Sequence, residues 1–145
     1  MKRILYFVAI MGLIICVLGS CKQEEPKVCT AEELIGRWEG TNTTPGNHFV
    51  FEAETAEGDY RWGKQWDENE GTTEEDVNQD YHKSGGFQWQ LITDDSGKKA
   101  KQRLRMRHMT SVGTAEAAID QEVYVFTEEA LEINDAGKHI YLVRE

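Results

Sequence analysis

From residue 36 onward, hydrophobic and polar positions alternate with a period of two over short runs bounded by glycine, aspartate and asparagine. That is the pattern of half-buried strands. The runs predict eight strands, at about 36–41, 48–55, 59–66, 86–93, 99–109, 121–127, 130–134 and 138–144. Alternation also assigns faces. Phe49, Phe51 and Ala53 share one side of the second strand, Tyr60, Trp62 and Trp66 one side of the third, and Phe87, Trp89 and Leu91 one side of the fourth. Leu104 and Met106 do so in the fifth, and Ile140, Leu142 and Arg144 point one way in the last. Such one-sided burial predicts antiparallel strands around a single core. No run carries a convincing helical period, although 114–119 (Thr-Ala-Glu-Ala-Ala-Ile) has the composition for a turn or two of helix.

Loop lengths turn this list of strands into a shape. If the strands run up and down, the connections after the second, fourth and sixth fall at one end and are short (56–58, 94–98 and 128–129), whereas the other end holds 42–47, 67–85 and 110–120. One end is tight and the other elaborated, as in a cup with a closed floor and a decorated mouth. The expected fold is therefore all-β, an eight-stranded up-and-down antiparallel barrel in which the first strand pairs with the last. Trp38, on the parity of Gly36 and Gly40, would then meet Arg144 at the closed end. A guanidinium over the indole would contribute roughly 0.5–2 kcal/mol, and the ring would plug the floor.

Gly36-Arg37-Trp38 resembles the Gly-X-Trp motif that opens the first strand of lipocalins, whose tryptophan packs against an arginine from near the last strand. The body is more closely similar to the small lipocalin-like lipoproteins of Bacteroidetes, in Trp66-Asp67-Glu68, Glu74-Glu75-Asp76-Val77, Phe87-Gln88-Trp89 and a final hairpin around Asp135-Ala136-Gly137-Lys138. This resemblance implies a lipocalin-like barrel, a structural floor of Gly36, Trp38 and Arg144, and a small, partly apolar ligand at the open end.

The N-terminus sets the address. Lys2 and Arg3, an apolar run from Ile4 to Leu18, and then Leu18-Gly19-Ser20-Cys21 form a signal peptide over residues 1–20 that takes no part in the fold. Leu18-Gly19-Ser20-Cys21 resembles the lipobox of bacterial lipoproteins, which makes Cys21 the lipidated first residue of the mature chain. The apolar run is shorter than the roughly 20 residues that span a bilayer. Residues 21–33 read as a polar, flexible tether carrying a free or intermolecular thiol at Cys29, and residues 34–145 as one barrel domain. The charged stretch after Cys21 resembles the surface-export signal of Bacteroidetes lipoproteins, and Lys22 stands where an inner-membrane retention signal would have aspartate. The expected location is the outer membrane, on its periplasmic or surface-exposed face. Loss of Lys2 and Arg3 takes the net charge from −10 to −12, which argues against a nucleic-acid partner.

Candidate chemistry is sparse. Asp67, Glu68, Glu70, Glu74, Glu75, Asp76 and Asp80 lie in one loop with no base among them, but without the glycine and final glutamate of an EF-hand. A solvated mouth loop is the simplest reading; bound calcium or a docking surface for a basic partner is the alternative. His48, His82, His108 and His139 all fall at the mouth end. His48 and His139 should face outward, leaving His82 and His108 as the only pair for zinc and His108 as a rim contact. Lys64 shares the parity of Trp62 and Trp66, so it either reaches an acidic ligand headgroup inside the barrel or is turned outward by a bulge at Gly63. Lys99, Lys101, Arg103, Arg105 and Arg107 occupy every second position of the fifth strand and make a basic outer stripe. It is either a solvated face with cross-strand partners or a contact for anionic lipid or lipopolysaccharide. No nucleophile motif, phosphate loop or distinct carboxylate pair points to catalysis. The reading that follows is a membrane-anchored, non-enzymatic binding protein without cofactor or metal, taking its ligand at a mouth made of Phe49, Trp66, Phe87, Met106 and His108. The alternative is a structural or interaction lipoprotein whose barrel is filled by its own aromatics and which docks a protein or envelope component.

Overall fold

All eight strands form within two residues of their expected bounds: β1 (Gly36–Gly40), β2 (Asn47–Thr55), β3 (Arg61–Asp67), β4 (Gly86–Asp94), β5 (Lys101–His108), β6 (Ile119–Phe126), β7 (Ala130–Asp135) and β8 (Lys138–Arg144). The computed structural model describes residues 28–41, 45–135 and 137–145; the expected signal peptide, Cys21 and the segment before Val28 lie outside them. Each strand pairs antiparallel with the next, and β8 returns to β1 to close the barrel. Trp38 stands opposite Arg144 in that seam.

The floor is built on this pair. The Arg144 guanidinium lies 4.2 Å from the centre of the Trp38 ring. Its nitrogens donate to the carbonyls of Glu128 (2.7 Å), Ile35 (3.1 Å) and Glu33 (2.7 Å). Trp38 is fully buried and donates its indole N–H to the Leu34 carbonyl at 3.0 Å. Gly36 is required here on two counts: its φ of 142° belongs to glycine, and a Cβ would come within 2.5 Å of Arg144 Nη1.

A short helix, α1 (Ala31–Leu34), crosses beneath the floor, started by a capping box in which Thr30 and Glu33 satisfy each other's backbone N–H. Leu34 is fully buried, and Glu32 reaches Arg61 at 2.6 Å. Cys29, just before it, is also fixed. Cys29, expected in a free tether, is 3% exposed in the core, with its N–H and carbonyl held by the buried amide of Gln102 at 2.9 and 2.8 Å. The folded body therefore begins ahead of residue 34, because Gln102 on an inward position of β5 needs a polar partner and the backbone of Cys29 supplies it.

The interior is continuous. Phe49, Phe51, Phe87, Trp89, Leu104, Met106, Phe126, Leu131, Ile133, Ile140 and Leu142 join Trp38 and Leu34 in one buried cluster. Phe51 meets Phe87 at 5.6 Å and Trp89 at 5.2 Å, both edge to face, and Phe49 meets Phe87 at 6.4 Å. Ala53 departs from its expected face and is exposed, since the β2–β3 register slips between Phe51 and Thr55.

On β3 the expected faces are inverted. Phe49 pairs with Gln65 and Phe51 with Gly63, which puts Arg61, Gly63 and Gln65 inside and Trp62, Lys64 and Trp66 outside. The β2–β3 slip begins at the Phe51–Gly63 pair with its extra residues on β2, and Gly63 itself makes room for Phe87, whose ring would lie 2.2 Å from a Cβ at that position. On this outer side Trp66 is buried and Trp62 half-buried, because the β3–β4 connection folds back over them. That connection also contains helix, contrary to the strand-only expectation: a 3-10 turn (Glu68–Glu70) and α2 (Glu74–Gln79). Residues 114–119, by contrast, form no helix; Ala115 bridges to Met109 and Ile119 begins β6.

Replacing Trp38 by alanine should cost roughly 3–5 kcal/mol of stability, as expected for a fully buried aromatic. Gly63→Ala, which forces the Phe87 ring aside, should cost roughly 1–3 kcal/mol. Urea unfolding of both variants against the parent measures these losses; a Gly63→Ala protein as stable as the parent would contradict the close packing at that point.

Candidate functional site

The segment 68–85 forms a flap against the outer wall of β2 and β3. Asp67 accepts from the backbone of Asn69 at 2.8 Å and shapes the 3-10 turn, and Thr73 with Asp76 makes a capping box that starts α2. Val77 turns its side chain inward onto Val50 and Trp66, a second small apolar cluster outside the barrel. The acidic loop is solvated along its acids, as expected, but it is also packed against the barrel wall. Its acids line one exposed side while Val77 buries the other.

Beneath the flap lies a crevice of about 340 Å³ bordered by Arg37, His48, Trp66, Glu68, Thr73 and Glu74. Arg37 projects outward from β1, holds Glu74 in a fork at 2.6 and 2.8 Å, and donates to Glu145 at 3.1 Å. Its guanidinium also sits 5.4 Å from the Trp66 ring centre. The His48 ring stacks on Trp66 at 4.9 Å and 11°, and its Nδ1 contacts Glu145. Burial pushes the Glu145 carboxyl up, but the bonds from His48 and Arg37 together outweigh it and leave it below the ordinary range. The hydrogen bond from Arg37 lowers Glu74 as well. At the far end of the flap, Tyr81 donates to Glu54, and that bond, helped by burial, pushes its phenol up to about 12. Lys64 lies over the Tyr81 ring at 4.6 Å and reaches Glu52 at 3.1 Å.

The residues expected to line a mouth are divided among three places. Phe49, Phe87 and Met106 are 7%, 0% and 3% exposed and belong to the packed interior. Lys64 is on the outer wall. Trp66 and His108 do come together, at a rim crevice of about 240 Å³ bordered also by Gln65, Asp67, Glu70 and Gly86. No family model, curated protein or solved structure matches this chain. The site is defined by its own geometry alone.

The remaining candidates are placed as follows. His82 packs on Trp62 at 4.5 Å and faces Glu54, whereas His108 stands beside Phe87, so they serve different surroundings. Among the described residues, no group of three or more histidines, cysteines or acids is arranged to hold a metal ion. His139 faces outward, stacked on Tyr124 at 5.2 Å and bonded to Glu132 at 2.6 Å. The basic stripe occupies the outer face of β5 from Lys101 to Arg107, with its arginines tied sideways; Lys99, expected on the same strand, lies in the β4–β5 connection because β5 starts only at Lys101. Arg105 grips Asp120 at 2.6 and 2.8 Å, Arg103 reaches the same carboxylate at 3.3 Å, and Arg107 bonds Gln88 at 2.6 Å over the Tyr60 ring.

Sequence reasoning missed Arg37 and Glu145 as partners. Their signal was present, since Arg37 alternates with Gly36 and Trp38 and so must face outward, but nothing local says which acids will reach it. Both Glu74 and Glu145 have folded-state values below their unfolded ones, so their contribution is complete above about pH 4.3 and is lost as pH falls through the folded values. Stability against urea should therefore fall as pH drops below about 4.3. Arg37→Ala should flatten that fall and cost about 1 kcal/mol at neutral pH, a small figure because the pair is half exposed.

Proposed function

We propose that the chain is a lipid-anchored envelope protein whose barrel is a rigid, non-catalytic scaffold. Recognition of a protein or envelope component falls to its flap and rim. The observation that carries this reading is the unbroken interior packing from Leu34 and Trp38 to Phe87 and Met106, which occupies with side chains the volume that a carrier would leave for cargo. The anchor follows from Leu18-Gly19-Ser20-Cys21. Val28 and Cys29 lie at the closed end, so a lipid on Cys21 would turn the floor toward the membrane and the flap away from it.

A small, partly apolar ligand remains a second reading, favoured by one feature: Trp66 and His108 share the rim crevice. At about 240 Å³ it suits a single-ring compound rather than haem. The basic stripe suits lateral contact with anionic lipid less well, since Asp120 and Gln88 already engage its arginines.

Native mass spectrometry of the purified protein should give the mass of the lipidated polypeptide alone, and tryptophan fluorescence should be indifferent to fatty acids, haem and short glycans. A co-purifying small molecule or saturable quenching would reject the filled scaffold. Cys21→Ala should abolish lipid labelling and release the protein from the membrane fraction; continued labelling would reject the anchor.

A further inference from the structure

Across the barrel from the flap, the outer face of β6, β7 and β8 carries apolar side chains in the open. Tyr124, Val125, Tyr141 and Val143 are 38%, 38%, 39% and 38% exposed. Among the described residues no other element packs over them. Strand pairing brings them together: Val125, Glu132 and Tyr141 form one cross-strand row, and Ala130, Val143 and Glu39 the next. Val125 joins this face only because the β6–β7 register slips between Val123 and Val125. Strict alternation after the inward Val123 would turn it into the core, and the extra residue, Tyr124, re-aims it outward.

The aromatic members are held still. The Tyr124 ring stacks on His139 at 5.2 Å and 9°, while its hydroxyl donates to Glu122 at 3.1 Å and accepts from Asn134 at 3.0 Å. His139 bonds Glu132 at 2.6 Å, and the same carboxylate holds the Tyr141 phenol above its ordinary value. A tyrosine fixed before contact loses little conformational freedom on binding, so more of its contact energy is kept as affinity.

Charge decides which kind of partner fits. The patch is bordered by Glu39, Glu122 and Glu132, and among its described side chains there is no lysine or arginine. The nearest arginines are turned elsewhere, Arg37 to Glu74 and Glu145, and Arg103 and Arg105 to Asp120. A second copy seated here about a two-fold axis would bring these acids against their own equivalents. A partner with lysine or arginine beside its apolar side chains meets them with opposite charge.

We propose that the outer face of β6, β7 and β8 docks a partner protein through a segment whose apolar side chains are flanked by lysine or arginine. This surface is remote from the flap and rim, and it does not depend on what they bind.

Fluorescence anisotropy with a short labelled peptide of alternating lysine and valine tests it on the purified protein. The peptide should bind, less tightly as salt rises, and the same peptide with glutamate for each lysine should not. Tyr141→Ala and Val125→Lys should each weaken binding roughly tenfold. Both side chains are exposed, and urea unfolding checks that the variants remain folded; Val143→Lys replaces either one that does not. Absence of binding by the lysine peptide, binding by the glutamate peptide, or parent-like binding in the folded variants overturns the proposal. A parent dimer in sedimentation that both variants dissolve also overturns it, by making a second copy the occupant, as does glycan-array binding lost in both, which would make the partner a carbohydrate.

Discussion

The stack of Arg144 on Trp38 is the contact on which the rest of the fold depends. A closed sheet has no edge, but only if its first and last strands find each other across the whole length of the chain. Arg144 secures that seam with one side chain. It covers the indole of β1, comes from β8, and spends its donors on carbonyls from the β6–β7 turn and from the segment entering β1. A guanidinium suits this position because its planar fork can stack and donate in several directions at once. Gly36 leaves the space it needs.

The floor repeats the arrangement on its other side. Arg61 lies 5.7 Å from the centre of the Trp89 ring and binds Glu32 of α1, while Trp89 donates to the Trp62 carbonyl at 2.9 Å. Two arginines from distant strands therefore each cover a tryptophan and hold the N-terminal segment across the closed end. The polar groups at the bottom of the barrel are satisfied by these bonds and by Gln102, and the apolar interior above can close without orphaned donors.

The flap follows from a mismatch between aromatic residues and interior space. The barrel already holds Phe49, Phe51, Phe87 and Trp89, and there is no room inside for the aromatics of β3, which turn outward. Trp66 is then covered by Val77, and Trp62 in part by Tyr81 and His82, with the flap held in place by Arg37–Glu74 and Tyr81–Glu54. The crevices of this end are thus by-products of a second, smaller core. They combine a fixed aromatic base with charged walls.

The sequence by itself determined the number of strands, their order and their ends, because period-two burial and turn residues are local properties. It also determined the meeting of Trp38 with Arg144, since an up-and-down barrel leaves the first and last strands no other neighbours. What only the tertiary structure decided was which face of β3 is inside. Alternation defines two faces but does not label them, and the label came from Gly63 yielding its volume to Phe87 across the sheet. The same limit hid the partnership of Arg37 with Glu74 and Glu145, and that of Cys29 with Gln102. These are contacts between residues far apart in the chain, chosen by which polar group was left without a partner when the apolar surfaces closed.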